Sequence, residues 1–448
     1  MNPNIFREYD IRGRVPDDLD QETVHRIGLA LGTYYGQKGV KEVSLGRDCR
    51  LSSPDLADAL RVGLRETGTH VLDVGMVPTP LLYFSLFHCE LNGGVQITGS
   101  HNPPDQNGLK ICLGKSTIYG EEIQKLREIA ESERFAKGRG RCKETEVNTP
   151  YLEALQQNLR PGGVERKVVV DAGNGVGGPV AVEVYQNMGL DVRALFCEPD
   201  GHFPNHHPDP TIPAYLEALV SKVSASEADL GIAFDGDADR IGVIDPEGRI
   251  IWGDQLMILF ARDLLKRHPG AKIIGEVKCS QALYDDIERH GGRPIMWKAG
   301  HSLIKGKMKE EGALLGGEMS GHLFFADRYY GYDDAIYAGA RLMEILTRER
   351  EGIMDLLADV PKMFSTPEIR LDCPDEEKFR VVRDLAEEFK RDYRVIDVDG
   401  ARVLFDGGWG LVRASNTQPV LVLRFEAEDE RRLEEIRQVF MSKLEARI

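Results

Sequence analysis

The chain has 448 residues, of which 42% are hydrophobic and 29% charged, and its formal net charge is -16. This length exceeds one hydrophobic core and predicts three or four domains. The negative charge disfavours non-specific binding to nucleic acids or anionic membranes. Because the sequence shows neither an apolar signal core nor a membrane-length apolar run, we expect a cytoplasmic protein. Seven scattered cysteines without a Cys-x-x-Cys pair predict free thiols.

An amphipathic helix is predicted over Leu19–Gln37. After it, one pattern occurs three times: strand, short loop, helix, glycine, strand. Such βαβ units predict mainly parallel sheets in three similar α/β domains. The predicted strand, helix and strand of the units are Val43–Gly46, Ser53–Arg65 and Val71–Val74; Val168–Asp171, Pro179–Met188 and Val192–Phe196; and Lys272–Val277, Ser280–Arg289 and Pro294–Trp297.

The C-terminal section has a different pattern. Short strand-like segments, the first two of them joined at Asp399-Gly400, lie between the helical stretches Glu376–Lys390 and Asp429–Leu444. This pattern predicts an antiparallel sheet in a small α+β domain. The predicted domains are residues 1–147, 148–246, 247–362 and 363–448.

The first chemical motif is the turn Thr98-Gly99-Ser100-His101, which directly follows an apolar, strand-like run. Gly99 permits unusual backbone angles, and the prolines at 103 and 104 prevent a helix from starting directly behind the turn. A serine on a rigid turn after a strand can act as a nucleophile or carry a covalent group. The alternative is an ordinary surface turn or a helix N-cap.

A second motif places Asp235, Asp237 and Asp239 at alternate positions after an apolar strand. Three carboxylates this close can converge on one hard cation. A calcium-binding EF-hand is excluded, because its sixth position is Arg240 instead of glycine and its twelfth is Pro246 instead of glutamate. We therefore predict an Mg²⁺ loop at a strand end, with a solvated acidic turn as the alternative.

Two further motifs carry polar groups among glycines or strands. Gly316-Gly317-Glu318-Met319-Ser320 offers a carboxylate and a hydroxyl, which suit the hydroxyl groups of a sugar. Arg413-Ala414-Ser415-Asn416-Thr417 offers a guanidinium, hydroxyls and an amide, which are typical of a phosphate-binding loop. A polar loop between strands is the alternative for the second of these.

Two other motifs favour different classes of protein. Gly173 to Gly178 fits the G-x-G-x-x-G fingerprint, and Glu198 lies where that fingerprint needs an acid, so an NAD-dependent oxidoreductase is an alternative. We interpret the glycines instead as a tight strand-to-helix turn, because the oxidoreductase leaves the other motifs unexplained. The histidine-rich segment 202–209 is interrupted by prolines and favours an ordered loop near the site over a metal centre.

A serine, Mg²⁺, a sugar and a phosphate together indicate phosphoryl transfer. The four motifs occur in this order over essentially the whole chain, and they resemble the α-D-phosphohexomutases, most closely the bacterial phosphomannomutase/phosphoglucomutase branch. The resemblance implies three α/β domains and a fourth, α+β domain around a central cleft, which agrees with the repeats. One residue departs from the family's usual serine motif: Gly99 stands where alanine is usual.

Residue by residue, the resemblance implies that Ser100 is the phosphoserine and that Asp235, Asp237 and Asp239 hold Mg²⁺ together with a phosphoserine oxygen. It implies that Arg240, Lys110 and His322 act beside the serine, the last two as candidate general acid or base. The substrate-binding residues that it implies are Tyr9, Arg12, Lys278, His301, Glu318, Ser320, Arg413, Ser415, Asn416 and Thr417.

The implied reaction interconverts hexose 1-phosphate and 6-phosphate, with mannose or glucose as the sugar, through hexose 1,6-bisphosphate. Phosphoglucosamine is the alternative substrate, because aminosugar mutases tend to carry another residue at the position of Met319. A sugar-phosphate-binding protein without catalysis and the oxidoreductase are the alternatives from other classes. No obligate protein partner is implied.

Overall fold

The computed structural model of the protein describes residues 1–415 and 419–445. It divides into two compact units, Met1–Leu256 with Ser320–Asp355, and Met257–Met319 with Leu356–Ile448. Three α/β domains followed by a smaller α+β domain confirm the predicted fold class. Among the described residues, no helix is both long enough and apolar enough to cross a bilayer.

The first domain is built on a seven-stranded mixed sheet. Its strands run in the order β1-β5-β4-β2-β3-β7, with β6 paired to β5. Strands β2, β3 and β4 are parallel, whereas β5 is antiparallel to β4. The elements are β1 (Ile11–Arg14), α1 (Gln21–Gln37), β2 (Glu42–Arg47), α2 (Ser53–Glu66), β3 (His70–Met76), α3 (Thr79–His88), β4 (Gly93–Ile97), β5 (Gln106–Leu113), β6 (Ser116–Thr117), α4 (Glu121–Ser132) and β7 (Cys142–Glu144). Helix α5 (Asn148–Asn158) follows and begins the second domain.

The start predicted for the first helix is wrong by two residues. Helix α1 begins at Gln21, because the Asp20 side chain caps it by accepting a 2.7 Å hydrogen bond from Thr23 N. Leu19 is fully buried in the core of the first domain. Because this apolar side chain fits the helical periodicity, the prediction started the helix at Leu19, although the backbone of Leu19 lies before the N-cap.

The second domain has a five-stranded sheet in the order β12-β11-β10-β8-β9. Strand β10 is parallel to β8 and antiparallel to β11, so β10 and β11 form a hairpin whose connection is residues 235–240, the acidic loop. The elements are β8 (Lys167–Asp171), α6 (Gly178–Asn187), β9 (Asp191–Leu195), α7 (Glu217–Ser226), β10 (Leu230–Phe234), β11 (Ile241–Ile244) and β12 (Ile250–Ile251).

The third α/β domain centres on β13, which is parallel to both β14 and β15. Every residue of β15 is buried, and the chain leaves this strand at the predicted sugar-binding motif. The elements of this part of the chain are α8 (Gly253–Arg267), β13 (Lys272–Glu276), α9 (Gln281–Arg289), β14 (Arg293–Trp297), α10 (His301–Glu311), β15 (Leu315–Gly317), β16 (Leu323–Phe325), α11 (Ala335–Leu346) and α12 (Ile353–Leu356).

The C-terminal domain is an antiparallel sheet with two helices. Its strand order is β17-β22-β21-β20-β19, and β18 also pairs with β22. The two helices and the sheet enclose an apolar core that includes Phe389, Phe425 and Phe440. The elements are β17 (Phe364–Ser365), β18 (Ile369–Asp372), α13 (Asp375–Phe389), β19 (Arg394–Ile396), β20 (Ala401–Phe405), β21 (Gly408–Ala414), β22 (Val420–Ala427) and α14 (Glu430–Glu445).

Candidate active site

Ser100 lies in the serine loop, residues 98–105, which connects β4 to β5. Its side chain is buried, and its backbone N donates a 2.9 Å hydrogen bond to Thr98 Oγ1. We expected Gly99 to supply the unusual backbone angles of this turn. Instead, Ser100 itself is left-handed, with φ of 49°, whereas Gly99 is not among the residues with positive φ. A non-glycine residue in that region is strained and is held by its surroundings.

The acidic loop meets the serine loop directly. Ser100 Oγ donates a 2.6 Å hydrogen bond to Asp235 Oδ2. The carboxylates of Asp235, Asp237 and Asp239 are all completely buried. The backbone N atoms of Asp239 and Arg240 each donate a 3.1 Å hydrogen bond to Asp235 Oδ1 and so hold the loop closed. The hairpin therefore presents three carboxylates beside one hydroxyl.

Lys110 brings the nearest positive charge to these carboxylates. It lies on β5, in register with Gln96 of the neighbouring β4. Its Nζ donates a 2.7 Å hydrogen bond to Asp237 Oδ2 and another to Asp239 Oδ2. Thr79 Oγ1, at the start of α3, also donates to Asp237 Oδ2, at 2.5 Å. The carboxylates are thus partly neutralised by one buried ammonium.

The pKa values in this cluster follow from burial and charge. Burial, followed by the repulsion of Asp237 and Asp239, raises the pKa of Asp235 well above its ordinary value. Burial acts on Asp237 as well, but Lys110 outweighs it and the pKa of Asp237 is lowered. Burial opposes the charge on Lys110, but Asp237 and Asp239 raise its pKa above the ordinary value. More negative charge is concentrated here than the single ammonium offsets.

The acidic loop fits a hard divalent cation. Each of its three aspartates offers an oxygen within 4.8 Å of the other two. Oδ1 of Asp237 and Oδ1 of Asp239 are buried and have no hydrogen-bond partner among the described residues. Leaving a buried charged oxygen unpaired is costly, and carboxylate oxygens are the ligands that Mg²⁺ prefers. The donor set and the unpaired oxygens therefore suit a cation such as Mg²⁺.

A second group of polar side chains flanks the acidic loop. Arg240 Nε donates a 2.9 Å hydrogen bond to His322 Nε2, and the other ring nitrogen of His322 lies 3.2 Å from Asp333 Oδ2. Arg12 Nε donates to Asp10 Oδ2 at 2.6 Å, and Arg12 Nη1 donates to the serine-loop residue Asn102 at 3.1 Å. The histidine and both arginines are thereby fixed in orientation.

In the second unit, Lys278 and Glu318 lie around a buried carboxylate, that of Glu276. Lys278 N donates a 2.8 Å hydrogen bond to Glu276 Oε2, and Lys278 Nζ lies 3.3 Å from Glu368 Oε2. Glu318 Oε1 accepts a 2.7 Å hydrogen bond from Gly300 N. Burial raises the pKa of Glu276, although Lys278 opposes it. This arrangement combines one ammonium with carboxylates able to accept hydrogen bonds.

Arg413, in the same unit, is held by a carboxylate. Its Nε donates a 2.9 Å hydrogen bond to Asp399 Oδ2, which also accepts from Ala299 N at 3.0 Å. The next residue but one, Ser415, is buried and donates through its backbone N to Val420 O. The predicted phosphate-binding residues Asn416 and Thr417 lie outside the described residues.

Sequence models for the domains of one family match the chain in order. They are described as phosphoglucomutase/phosphomannomutase alpha/beta/alpha domains I, II and III and the C-terminal domain, and they match residues 3–137, 149–248, 252–364 and 368–443. The chain belongs to the phosphoglucomutase/phosphomannomutase family.

Relatives of known name cover almost all of the chain. A phosphomannomutase/phosphoglucomutase of Pseudomonas aeruginosa is 48% identical over 444 residues, which are 99% of this chain and 96% of that protein. A phosphoglucomutase of Neisseria gonorrhoeae is 45% identical, and the alignment covers 99% of this chain and 97% of that protein. The crystal structure of a family protein from Burkholderia thailandensis is 43% identical, with a TM-score of 0.93 over 100% of this chain and 98% of that one. The protein is therefore an enzyme, a phosphohexomutase.

The glycine-rich segment of this phosphohexomutase is a tight turn between β8 and α6, as interpreted from the sequence. Its backbone N–H groups, which a dinucleotide would need, are bonded within the protein: Asn174 N to Phe196 O, Gly175 N to Ala172 O and Val176 N to Gly236 O. The last of these bonds joins the turn to the acidic loop. The glycines thus allow the acidic loop to approach closely, and the oxidoreductase alternative is not supported.

The structure brings together most of the predicted site residues, separately in each unit. Tyr9 and Ser320 are half-buried and lie just before β1 and β16, and His301 is buried at the first position of α10. In the first unit, the contacts above bring together Arg12, Ser100, Lys110, Asp235, Asp237, Asp239, Arg240 and His322. In the second unit, Lys278, Glu318 and Arg413 bond separately to Glu276, Gly300 and Asp399.

Several residues of the candidate site were not predicted from the sequence. Asp48 and Arg50 follow β2, whose parallel neighbour β4 ends at the serine loop. Glu276 ends β13, whose parallel neighbour β15 ends just before Glu318. Because the carboxyl ends of neighbouring parallel strands meet at one sheet edge, charged residues at these ends were the available signal. Asp333 had no comparable signal, since it lies in an irregular segment.

Proposed function

We propose that this phosphohexomutase interconverts the 1- and 6-phosphates of mannose, glucose or both, through phospho-Ser100 and a hexose 1,6-bisphosphate. The observation that carries this proposal is the 2.6 Å hydrogen bond from Ser100 Oγ to Asp235, inside a loop of three buried carboxylates. The relatives at 48% and 45% identity, named phosphomannomutase/phosphoglucomutase and phosphoglucomutase, support the choice of sugar.

Asp235, Asp237 and Asp239, together with a phosphoryl oxygen on Ser100, would hold Mg²⁺. When bound, this cation would offset the negative charge of the phosphoryl oxygens. Oδ1 of Asp237 and Oδ1 of Asp239, which are buried and accept no hydrogen bond from the described residues, support the assignment. Lys110, which already bonds to two of the three carboxylates, would add its positive charge beside the transferred group.

In the first transfer, the free hydroxyl of the hexose phosphate attacks the phosphorus of phospho-Ser100. The new phosphorus–oxygen bond forms as the bond to Ser100 Oγ breaks, and the product is the 1,6-bisphosphate. The attacking hydroxyl releases one proton, and Oγ takes up one proton to become the serine hydroxyl again. Lys110 and His322 are the candidates for moving these protons, and the orientation of His322 is set by Arg240 and Asp333.

In the second transfer, the other phosphoryl group of the bisphosphate returns to Ser100. The two ends of the intermediate must therefore be bound in equivalent ways. We assign binding of the non-reacting phosphate to Arg413, because a guanidinium binds phosphate with two parallel hydrogen bonds. Ser415 would add a hydroxyl, and Asn416 and Thr417, which lie outside the described residues, would add an amide and a second hydroxyl. The remaining assignments are sugar and phosphate contacts by Tyr9, Arg12, Lys278, His301, Glu318 and Ser320.

A coupled assay with the 1-phosphates of mannose, glucose and glucosamine, each with a trace of hexose 1,6-bisphosphate, tests the function. We expect turnover of the mannose phosphate, the glucose phosphate or both, and only slow turnover of the glucosamine phosphate. Faster turnover of glucosamine 1-phosphate would instead support the aminosugar alternative. The cytoplasmic location expected from the sequence remains a prediction.

A further inference from the structure

The backbone of the serine loop is strained at Ser100, the residue that we propose carries the phosphoryl group. Ser100 is left-handed at φ of 49°, and its Oγ must stay beside Asp235 for the proposed chemistry. The loop makes few hydrogen bonds of its own: Ser100 N donates to Thr98 Oγ1, Asn102 N donates to Gly99 O, and Ser100 Oγ bonds to His101 Nδ1 at 3.0 Å. Gln106, directly after the loop, donates through its N to Pro103 O and accepts from Asn102 Nδ2. Something outside the loop therefore has to hold its remaining carbonyl groups.

Arg50 binds these carbonyl groups through both terminal nitrogens of its guanidinium. Its Nη1 donates to Pro103 O at 2.6 Å and to Gln106 O at 3.0 Å. Its Nη2 donates to Ser100 O at 2.7 Å and to Asn102 O at 2.6 Å. One side chain from the end of β2 thus binds four carbonyl oxygens in and next to the serine loop.

The charge of Arg50 is buried and balanced. The side chain is completely buried, and its Nε lies 3.2 Å from Asp48 Oδ2. Asp48 Oδ2 also accepts a 3.1 Å hydrogen bond from Gly99 N, so the ion pair binds the loop through both of its members. The ring of Phe203 lies 5.3 Å from the guanidinium carbon, which confines the plane of the guanidinium.

Gly99 leaves the space that the guanidinium occupies. A Cβ atom on this residue would overlap with Arg50 Nε and would lie 2.5 Å from Arg50 Cζ and 2.9 Å from Gln106 O. Because the guanidinium is fixed by its four carbonyl partners, it cannot move aside without releasing some of them. The position of the Arg50 guanidinium therefore depends on the absence of a side chain at residue 99.

We propose that Arg50 is a positioning residue for phosphoryl transfer: through four carbonyl groups it keeps Ser100 Oγ beside the acidic loop. In this chain, where glycine replaces the family's usual alanine, Gly99 leaves the space in which the guanidinium takes this position. The proposal rests on the proposed role of Ser100. It assigns Arg50 no contact with the substrate. Loss of Arg50 should therefore slow the chemical steps and leave binding of the sugar phosphate nearly unchanged.

The conservative variant Arg50→Lys tests this directly. Lysine keeps the charge beside Asp48, but an ammonium has three donors in a different geometry and cannot replace the planar fork of a guanidinium. We expect kcat to fall about 10²-fold, the size of effect that a displacement of about 1 Å can produce, while KM stays within about threefold. A wild-type kcat, or a KM that rises as much as kcat falls, would overturn the proposal.

A double-mutant cycle tests the link between the two residues. Gly99→Ala alone should lower kcat by at least about tenfold, because its Cβ displaces the guanidinium. In an Arg50→Ala background, where that space is empty, adding Gly99→Ala should change kcat less than about twofold. Equal effects in both backgrounds would overturn the link. If Arg50→Ala does not fold, the kcat values of Arg50→Lys and Gly99→Ala decide the matter.

Arg341→Lys is the matched control, since Arg341 is equally buried and makes a two-point ion pair with Asp327. It should lower the thermal unfolding temperature but leave kcat per folded molecule within about twofold of wild type. A loss of kcat as large as that of Arg50→Lys would reduce the Arg50 effect to general destabilisation. Ser100→Ala separates the two proposals: if it stays active, the proposed function fails, whereas an inactive Ser100→Ala with fully active Arg50 and Gly99 variants overturns only this inference.

Discussion

Ser100 Oγ and Asp235 Oδ2 are joined by a 2.6 Å hydrogen bond although 135 residues separate them in the chain. Ser100 lies in the loop after β4 of the first domain, and Asp235 lies in the loop after β10 of the second. The contact therefore depends on the close approach of two loops, which Gly236 permits, because a Cβ on that residue would lie 2.5 Å from Ser100 O. The contact places the hydroxyl that we propose carries the phosphoryl group beside the carboxylates that we propose hold the cation.

Replacing Asp235 by asparagine should lower kcat about 10²-fold or more, because one charge that would hold the cation beside the phosphoryl group is lost. The matched control is Asp229→Asn, at the opposite end of β10, where the carboxylate bonds to Arg166 and to Lys167 N. That variant should keep wild-type kcat. Similar activity of the two variants in steady-state assays would argue against the cation site.

Mg²⁺ should stabilise the folded protein, because it relieves the repulsion among Asp235, Asp237 and Asp239. A ligand at one hundred times its dissociation constant adds about 2.7 kcal/mol to the free energy of unfolding. Thermal unfolding with and without Mg²⁺ measures this effect without any assay of activity. The gain should disappear in Asp237→Asn/Asp239→Asn. An equal gain in that variant would show that the cation binds elsewhere.

Arg413→Ala should raise KM for hexose 1-phosphates about 10- to 100-fold, since hydrogen bonds to charged groups contribute about 1.5–3 kcal/mol. Arg432, which bonds to Asp406 O on the surface of the same domain, provides the control variant Arg432→Ala. Steady-state kinetics of both variants check the prediction. If Arg413→Ala keeps KM within about twofold of wild type, Arg413 does not bind the distal phosphate.

Glu368 should make the stability of the second unit depend on pH. Burial acts against its charge, but Lys278 and Arg370 outweigh burial and lower its pKa to about 2. Because the folded pKa lies below the unfolded value, the ionised glutamate stabilises the fold above the unfolded pKa. This contribution, on the order of 2–3 kcal/mol, is lost as the pH falls through the folded pKa.

Glu368→Gln should therefore lower the free energy of unfolding most at about pH 7, by less than about half as much at about pH 3, and hardly at all at about pH 2. Urea unfolding followed by tryptophan fluorescence in a Trp252→Phe background reports on this unit, because the remaining Trp297 and Trp409 both belong to it. Glu387→Gln is the control, because Glu387 is 65% exposed in its ion pair with Lys390 and should contribute little at either pH. A pH-independent loss in Glu368→Gln would contradict the assignment.

The sequence predicted those parts of the site that are local. Ser100 and the three aspartates follow strands whose apolar pattern is unambiguous, so both the strands and the polar turns after them were visible. Glu318 was found instead through the glycines that precede it. The three α/β domains were predicted from the repeated βαβ pattern, and the fourth domain from its change to short antiparallel strands. The roles of these residues remain predictions, although the contacts of the structure agree with them.

The rest depends on contacts between distant segments. In the sequence, Arg50 is an ordinary polar residue after a strand. Its role could not be predicted, because its four carbonyl partners lie about fifty residues further along the chain. The reason for Gly99 was predicted wrongly, because a clash with another side chain leaves no trace in local sequence. The pair of Lys278 and Glu368 spans 90 residues and likewise had no local signal.

The most direct test of the account measures the phosphoryl group on Ser100. Intact-protein and peptide mass spectrometry after incubation with glucose 1,6-bisphosphate should find one phosphoryl group, located on Ser100, which is lost when hexose 1-phosphate is then added in excess. Ser100→Ala should carry none and should have negligible mutase activity. An active enzyme without phosphate on Ser100, or an active Ser100→Ala, would contradict the central claim.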